Sequence, residues 1–285
     1  MNTFGVHTFA VASEWRNDVM TEVLPRLRDL GVRLVEVPLL RPDELDAEAA
    51  RELAARHGIE LVCSLGLPAR LDIVKRPDEA ADFLAGALAV TARAGARSLS
   101  GVPYGTLGYV SGKPPTETER SAVSRLLARV AGTAKERGLS VGIEPCNRYE
   151  THLINRAIDA RKVLEGIGAD NLFIHLDTYH MNIEEESFDA GFAAAGRWLG
   201  YVHVSESNRG VPGRGTIDWG KVMAALARVS YQGPLVLESF NHLHPDIASG
   251  LAVWRPVTDD PDSVLSVGVP YLRQAAIAAG LKLKS

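Results

Sequence analysis

Four short apolar runs in the second half of the chain each deliver one side chain able to hold a metal ion. They end on or beside Glu144, Asp177, His203 and Glu238: Gly142-Ile143-Glu144, Ile174-His175-Leu176-Asp177, Tyr201-Val202-His203 and Leu235-Val236-Leu237-Glu238. Singly, each has a plain structural reading. Glu144 and Glu238 read as carboxylates at strand ends, Asp177 as a turn or helix-capping residue, and His203, between Val202 and Val204, as a hydrogen-bonded core histidine. Jointly they read differently. Three carboxylates and an imidazole at the same height on consecutive strands repel one another unless a cation sits among them. The set predicts a single divalent metal ion bound by Glu144, Asp177, His203 and Glu238. Oxygen donors with one imidazole and no thiolate suit manganese (Mn²⁺), with Co²⁺ or Mg²⁺ as alternatives.

Those four side chains converge only if their strands are parallel and neighbours, and the rest of the chain supplies such a frame. Strand-like runs at residues 4–9, 32–39, 59–65, 97–102, 139–143, 172–176, 200–204 and 235–237 alternate with amphipathic stretches. The helices are expected at residues 17–30, from Pro42-Asp43-Glu44 to about 57, 78–94, 116–137, 156–164, 188–195, from Asp218-Trp219 onward, and 262–279. Gly31, Gly58, Gly95 and Gly138 read as helix stops. Residues 177–182 and the glycine-rich 205–215 read as loops. Repeated strand-helix units imply a parallel sheet, because parallel strands need a crossover. The fold class is therefore α/β, a single (β/α)8 TIM barrel over residues 1–285, whose strand C-termini open on one face. No glycine-rich phosphate loop follows the first strand, which argues against a doubly wound sheet.

The totals narrow the function class. A chain of 285 residues with 46% hydrophobic residues can bury a large core, and a net charge of -4 argues against a nucleic-acid partner. No apolar run reaches the roughly 18 residues of a membrane span, and the N-terminus has no signal-peptide pattern, so no membrane partner is expected. Cys63 and Cys146 lack metal-ligand spacing and read as reduced thiols, which makes the cytoplasm the expected location.

The segments around the four ligands carry a resemblance. Gly142-Ile143-Glu144-Pro145, Asn147-Arg148-Tyr149-Glu150-Thr151, Leu176-Asp177-Thr178-Tyr179-His180-Met181-Asn182, His203-Val204-Ser205-Glu206 with Asn208-Arg209-Gly210, Ile217-Asp218-Trp219 and Leu237-Glu238-Ser239-Phe240 resemble the ketose 3-epimerases. That family, typified by D-tagatose 3-epimerase and D-psicose (D-allulose) 3-epimerase, lies within the xylose-isomerase-like barrels. The resemblance implies that Glu144, Asp177, His203 and Glu238 are the metal ligands, that Glu144 and Glu238 are the catalytic acid/base pair, and that Glu150, His180 and Arg209 bind substrate. It also implies a small-molecule ketose as substrate and assembly as a homodimer or homotetramer.

The chemistry supports that reading independently. Inverting C3 of a ketose requires a proton removed from one face and another returned to the opposite face, so two carboxylates must flank the carbon. A divalent ion on O2 and O3 would polarise the carbonyl and stabilise the intervening enediolate. Phe9, Trp15, Ser64, Tyr104, Leu107 and Tyr109, near strand exits of the first half, are expected to wall the distal end of the sugar. Glu36, a carboxylate inside an apolar strand, reads as structural or as a support to the metal ligands. Glu206, Glu184 and Glu185 read as loop or helix-start charges. The apolar residues Val264, Leu265, Val267, Val269 and Leu272 read as packing ahead of an interface. An aldose-ketose or hydroxypyruvate isomerase on the same barrel would use similar chemistry, and a non-enzymatic sugar-binding protein would not need both glutamates. A metal-dependent endonuclease would need a larger ligand set and a basic groove, neither of which is present.

Overall fold

A computed structural model describes residues 1–284. Eight parallel strands, β1 (Phe4–His7), β2 (Leu34–Pro38), β3 (Glu60–Gly66), β4 (Ser98–Val102), β5 (Ser140–Ile143), β6 (Leu172–Asp177), β7 (Leu199–Ser205) and β8 (Leu235–Glu238), pair in sequence order and close into a barrel. The strands are short apolar runs because both faces are covered, by the barrel interior on one side and by helices on the other. Closure pairs β1 with both β2 and β8, leaving no sheet edge to protect.

The main crossover helices are α1 (Asn17–Asp29), α2 (Ala47–Arg56), α3 (Pro77–Arg93), α4 (Glu117–Lys135), α5 (Ala157–Ile167), α6 (Thr178–Glu184), α7 (Phe188–Ala195), α8 (Trp219–Arg228), α9 (Pro245–Ala248) and α10 (Val269–Ala278). Their starts follow from capping chemistry. Thr116 and Glu119 form a reciprocal capping box on α4, and Asp46, Ser187 and Asp218 cap α2, α7 and α8, each satisfying a backbone N–H that the helix itself cannot. The expected glycine stops at 31, 58, 95 and 138 all take positive φ.

Three stretches differ from the sequence-based expectation. Residues 177–182 are mostly helical: Asp177 accepts the Tyr179 N–H at 2.7 Å and starts α6 directly at the strand end. A strand that runs straight into a helix leaves no loop signal between them. The continuous helix expected at 262–279 is instead a π-helical segment, Val264–Gly268, followed by α10. Pro270 cannot donate to the preceding turn, and a widened turn accommodates the missing bond. In the second unit a 3-10 turn, Pro42–Glu44, precedes α2, which begins only after the Asp46 cap.

The register places polar residues on the inward faces of two levels. His7 pairs with Glu36, Asp177 with His203, and Ser205 with Glu238. Two residues earlier on their strands, His175 and Tyr201 point the same way, as a period of two requires, and both are buried. The barrel therefore carries a polar stack in its second half, capped by the four residues singled out above. Val264, Leu265, Val269 and Leu272 are buried as packing, whereas Val267 is 42% exposed.

Candidate active site

Each expected ligand sits where its strand leaves the barrel. Glu144 directly follows β5. Its N–H donates to Gly101 O at 2.8 Å and its carbonyl accepts the Tyr104 hydroxyl at 2.6 Å, so the backbone is fixed before Pro145 turns the chain away. Asp177 and Glu238 are the last residues of β6 and β8. His203 lies within β7, and its Nδ1 faces all three carboxylates: 3.7 Å from Glu144 Oε1, 3.9 Å from Asp177 Oδ2 and 3.6 Å from Glu238 Oε2. All four residues are buried.

The electrostatics show what this cluster needs. Burial is the largest influence on the carboxyls and raises them, Asp177 to about 6 and Glu150 to about 7, with Glu144 shifted the same way, although Arg209 pulls each down. Burial opposes charge on His203 too, but Glu36, Glu238 and Glu144 around it overcome that and hold its pKa well above the usual imidazole range. The cluster thus draws positive charge inward. Arg209 supplies one: its Nη1 donates to Asp177 Oδ2 at 2.5 Å, to Glu238 Oε2, and to Ser205 Oγ at 3.1 Å.

The donor set fits a divalent cation. His203 Nδ1 is buried and makes no hydrogen bond, while its Nε2 is 2.7 Å from Glu36. One imidazole nitrogen and three carboxylate groups, with no thiolate bonded among them, form a hard, oxygen-rich site of the kind Mn²⁺ or Mg²⁺ accepts. The potential ligand atoms fall into three groups, each within 4.8 Å: Glu144/Cys146/His180, and two that overlap, Glu144/His175/His203 and Asp177/His203/Glu238. His203 is common to the overlapping two, the first with Glu144 and the second with Asp177 and Glu238.

The three expected substrate residues join the same cluster. His180, on α6, accepts the Asn147 backbone N–H on Nδ1 at 3.1 Å. Burial, then the Arg209 guanidinium, hold its pKa well below the imidazole range, so the neutral ring carries its proton on Nε2. That nitrogen lies 3.2 Å from Arg209 Nη2. Both are donors, so they cannot satisfy one another, and their hydrogens suit one acceptor oxygen of a ligand. Glu150 Oε1 accepts from Asn147 Nδ2 at 2.8 Å, and its Oε2 is buried without a hydrogen bond. Arg209 takes φ 60, a costly conformation for a non-glycine residue. It is locked between the Tyr179 and Phe240 rings, at 3.9 and 4.4 Å, with its carbonyl accepting from Phe240 N and Ser239 Oγ.

These groups, with Phe240 packed on Arg209, form the floor of a cavity of about 480 Å³, whose other lining is mainly apolar and includes Leu39, Leu67, Leu107, Ile247 and Leu251. The segments carrying Leu107 and Leu251 come together where Gly108, at φ 81, packs on the Gly250 backbone: a Cβ at Gly108 would lie 2.7 Å from Gly250 Cα. Of the expected wall residues, Phe9, Ser64 and Leu107 line the cavity. Trp15, Tyr104 and Tyr109 do not. Trp15 Nε1 donates to Asn17 at the start of α1, Tyr104 is buried behind Glu144, and Tyr109 is 59% exposed beside a neighbouring cleft. Nearness to a strand exit sets a residue's height in the barrel, and the local turn decides which way it points.

Glu206 lies in a loop, as expected, directly after β7. It is buried and accepts from Ser207 N, Gly213 N, Ile217 N and Trp219 Nε1, tying the long exit of β7 to α8. Glu184 pairs with Arg148 and Glu185 accepts the Ala157 N–H at the start of α5. Residues not named as site members from sequence but built into it are Asn147, His175 and Tyr201. Spacing was the available signal, since His175 and Tyr201 each precede an expected ligand by two on the same strand face.

The sequence profile of the xylose isomerase-like TIM barrel family matches residues 24–257. The chain is 32% identical over 280 residues to an L-ribulose 3-epimerase of Methylomonas sp., covering 95% of this chain and 96% of that protein. To a ketose 3-epimerase of Arthrobacter globiformis it is 35% identical over 262 residues, 89% of each. The crystal structure of D-allulose 3-epimerase from Methylomonas sp. in complex with D-allulose superposes with a TM-score of 0.90 at 30% identity, covering 96% of this chain and 97% of that one.

Proposed function

The chain belongs to the ketose 3-epimerases of the xylose isomerase-like TIM barrel family, and on that premise we propose that it is a metal-dependent isomerase interconverting C3 epimers of free ketopentoses or ketohexoses. The substrate class is that of the relatives, which are named for L-ribulose, D-psicose and ketoses in general. The single observation that carries the mechanism is the arrangement around His203 Nδ1, with Glu144 at 3.7 Å and Glu238 at 3.6 Å on the floor of the cavity.

Glu144, Asp177, His203 and Glu238 would hold the divalent ion, Mn²⁺ by preference. When bound, it supplies Lewis-acid polarisation of the C2 carbonyl, making the C3 proton more acidic. The chain's own residues perform the rest. His180 Nε2 and Arg209 Nη2 donate to a sugar oxygen at the polar end, and Glu150 Oε2 accepts from a hydroxyl there. Glu144 and Glu238 face C3 from opposite sides. One carboxylate takes the C3 proton and the other delivers a proton to the opposite face, so the epimer supplied decides which acts as base. Burial raises the Glu144 carboxyl, which brings a strand-end glutamate nearer to the proton affinity that exchange with carbon requires. The mainly apolar lining excludes water from the reacting end and makes few polar demands on C4 to C6.

Two further elements belong to the same reading. Assembly as a homodimer or homotetramer is supported by exposed Tyr109, Val110 and Tyr149 near the barrel mouth, and sedimentation velocity tests it. A cytoplasmic location is supported by the buried, unpaired thiols of Cys63 and Cys146. Among the described residues no helix is long and apolar enough to cross a membrane.

The function is tested by incubating the Mn²⁺-loaded protein with L-ribulose, D-psicose and D-tagatose in heavy water. The expected result is the C3 epimer, carrying deuterium at C3 with the carbonyl still at C2. Movement of the carbonyl would mark an aldose-ketose isomerase, and binding without turnover a sugar-binding protein.

A further inference from the structure

Glu36 sits on β2, across the barrel from His203, and its side chain is 1% exposed. A carboxylate in such a place is expensive unless it is bonded, and its bonds run to one strand, β7. Oε2 lies 2.7 Å from His203 Nε2 and 2.6 Å from the Tyr201 hydroxyl, which donates to it. Tyr201 precedes His203 by two on β7, so the same strand presents both groups. The His175 ring packs edge-on against both, at 4.7 Å from Tyr201 and 4.1 Å from His203. The imidazole therefore has one orientation, with Nε2 towards Glu36 and Nδ1 towards Glu144, Asp177 and Glu238.

We infer that Glu36 is a positioning residue of the metal centre: by accepting the His203 Nε2–H it keeps Nδ1 as the lone-pair nitrogen of the neutral ring that would hold the metal, with Tyr201 clamping the accepting oxygen. This rests on the reading that the four ligands bind a divalent cation. Without an acceptor on the Nε2 side, the three carboxylates facing Nδ1 are the strongest acceptors available to a neutral imidazole. They would draw its one proton to Nδ1 and turn the ligand atom into a donor. A carboxylate on the far nitrogen also makes the ligating one a better electron donor. The other Glu36 oxygen makes no hydrogen bond and stands 3.6 Å from His7 Nε2, so the held oxygen is the one that serves His203.

The test is Mn²⁺ affinity, measured by isothermal titration and by the free-Mn²⁺ electron paramagnetic resonance signal, on chelator-stripped wild type, Glu36→Gln, Glu36→Leu and Tyr201→Phe. Expected are dissociation constants about 10-fold weaker for Gln, which keeps a neutral acceptor, and about 100-fold weaker for Leu, with a smaller loss for Tyr201→Phe. Nitrogen-15 spectra of the Mg²⁺-loaded wild type should show a slowly exchanging proton on His203 Nε2 that is absent in Glu36→Leu. A packing role would lower melting temperatures without moving that proton or ranking the affinities. Wild-type affinity in folded Gln and Leu variants overturns the inference while leaving the metal centre intact. Failure of the wild type itself to bind Mn²⁺ overturns both.

Discussion

Replacing Glu144 with glutamine separates the two-base mechanism from any account in which this residue merely shapes the cavity. The change is nearly isosteric, and the carboxylate it removes makes no close ionic contact: its oxygens lie 3.7 Å from His203, 3.8 Å from His180 and 3.8 Å from His175. Folding should not suffer. Burial raises the Glu144 carboxyl above its unfolded value, so ionisation costs the metal-free folded state stability at neutral pH, and a neutral amide removes that cost. The metal-free melting temperature is expected to stay level or rise. Turnover should do the opposite. Losing one positioned acid/base typically costs 10²- to 10⁴-fold, about 3 to 5 kcal/mol of barrier.

The partial reaction is more telling than the rate. With Glu238 alone, the epimer whose C3 hydrogen faces Glu238 can still lose its proton and regain one on the same face. In heavy water the recovered substrate should gain deuterium at C3 without inversion, while the other epimer gains none. Glu238→Gln should reverse the two. Proton spectra of both recovered sugars, with metal occupancy verified on each variant, decide the matter. A Glu144→Gln protein that holds metal and epimerises within tenfold of wild type would falsify the mechanism, and so would equal exchange from both epimers.

Other expectations follow from the same geometry. Arg209→Lys keeps the charge but loses the second donor arm and the packing between Tyr179 and Phe240; with charge-assisted bonds worth about 1.5–3 kcal/mol each, KM for ketose should rise at least tenfold, and an unchanged KM would remove Arg209 from substrate binding. Glu206→Ala leaves four donors without their acceptor in a buried loop, and should cost about 3 kcal/mol or more, read as a melting temperature several degrees lower with the Mn²⁺ affinity of the folded protein retained. Asp177 and Glu150 have folded pKa values of about 6 and 7, above their ordinary 3.8 and 4.5. The stability this lends to the metal-free protein is complete below pH 4 and lost as pH rises through 6 to 7; calorimetry across that window should show a falling melting temperature, which added Mn²⁺ offsets near neutrality.

The barrel was legible because each strand is an apolar run closed by a turn or glycine signal, and because parallel closure leaves one face on which strand-end residues can meet. The meeting of four side chains was legible for the same reason: Glu144, Asp177 and Glu238 are charges at the very end of apolar runs, and His203 is a polar residue where packing alone would prefer an aliphatic one. Direction was harder to read than position. Tyr104 and Leu107 leave the same strand, yet one is buried behind Glu144 and the other lines the cavity, a difference made by a few backbone angles that residue type does not encode. The tying role of Glu206 is hidden because three of its four donors are backbone N–H groups, two of them 7 and 11 residues on, and backbone donors have no signature in the sequence.

Arg209 shows how far these limits reach. As a residue type in a glycine-rich exit it reads as a solvated charge, and only its neighbourhood says otherwise. Its positive φ follows from the Glu206 O bond to its N–H and the turn completed at Gly210. Glu206 is fixed in turn by Trp219 on the next helix. The cation that counterbalances Asp177 and Glu238 is therefore aimed by a knot of structure outside the cavity, so the recognition end of the site and the stability of the β7 exit cannot vary independently. A substitution at Trp219 that frees Glu206, Trp219→Phe for example, should raise KM for ketose although residue 219 touches no substrate, and the restoration of KM by a histidine donor at 219 would trace the effect to that one hydrogen bond.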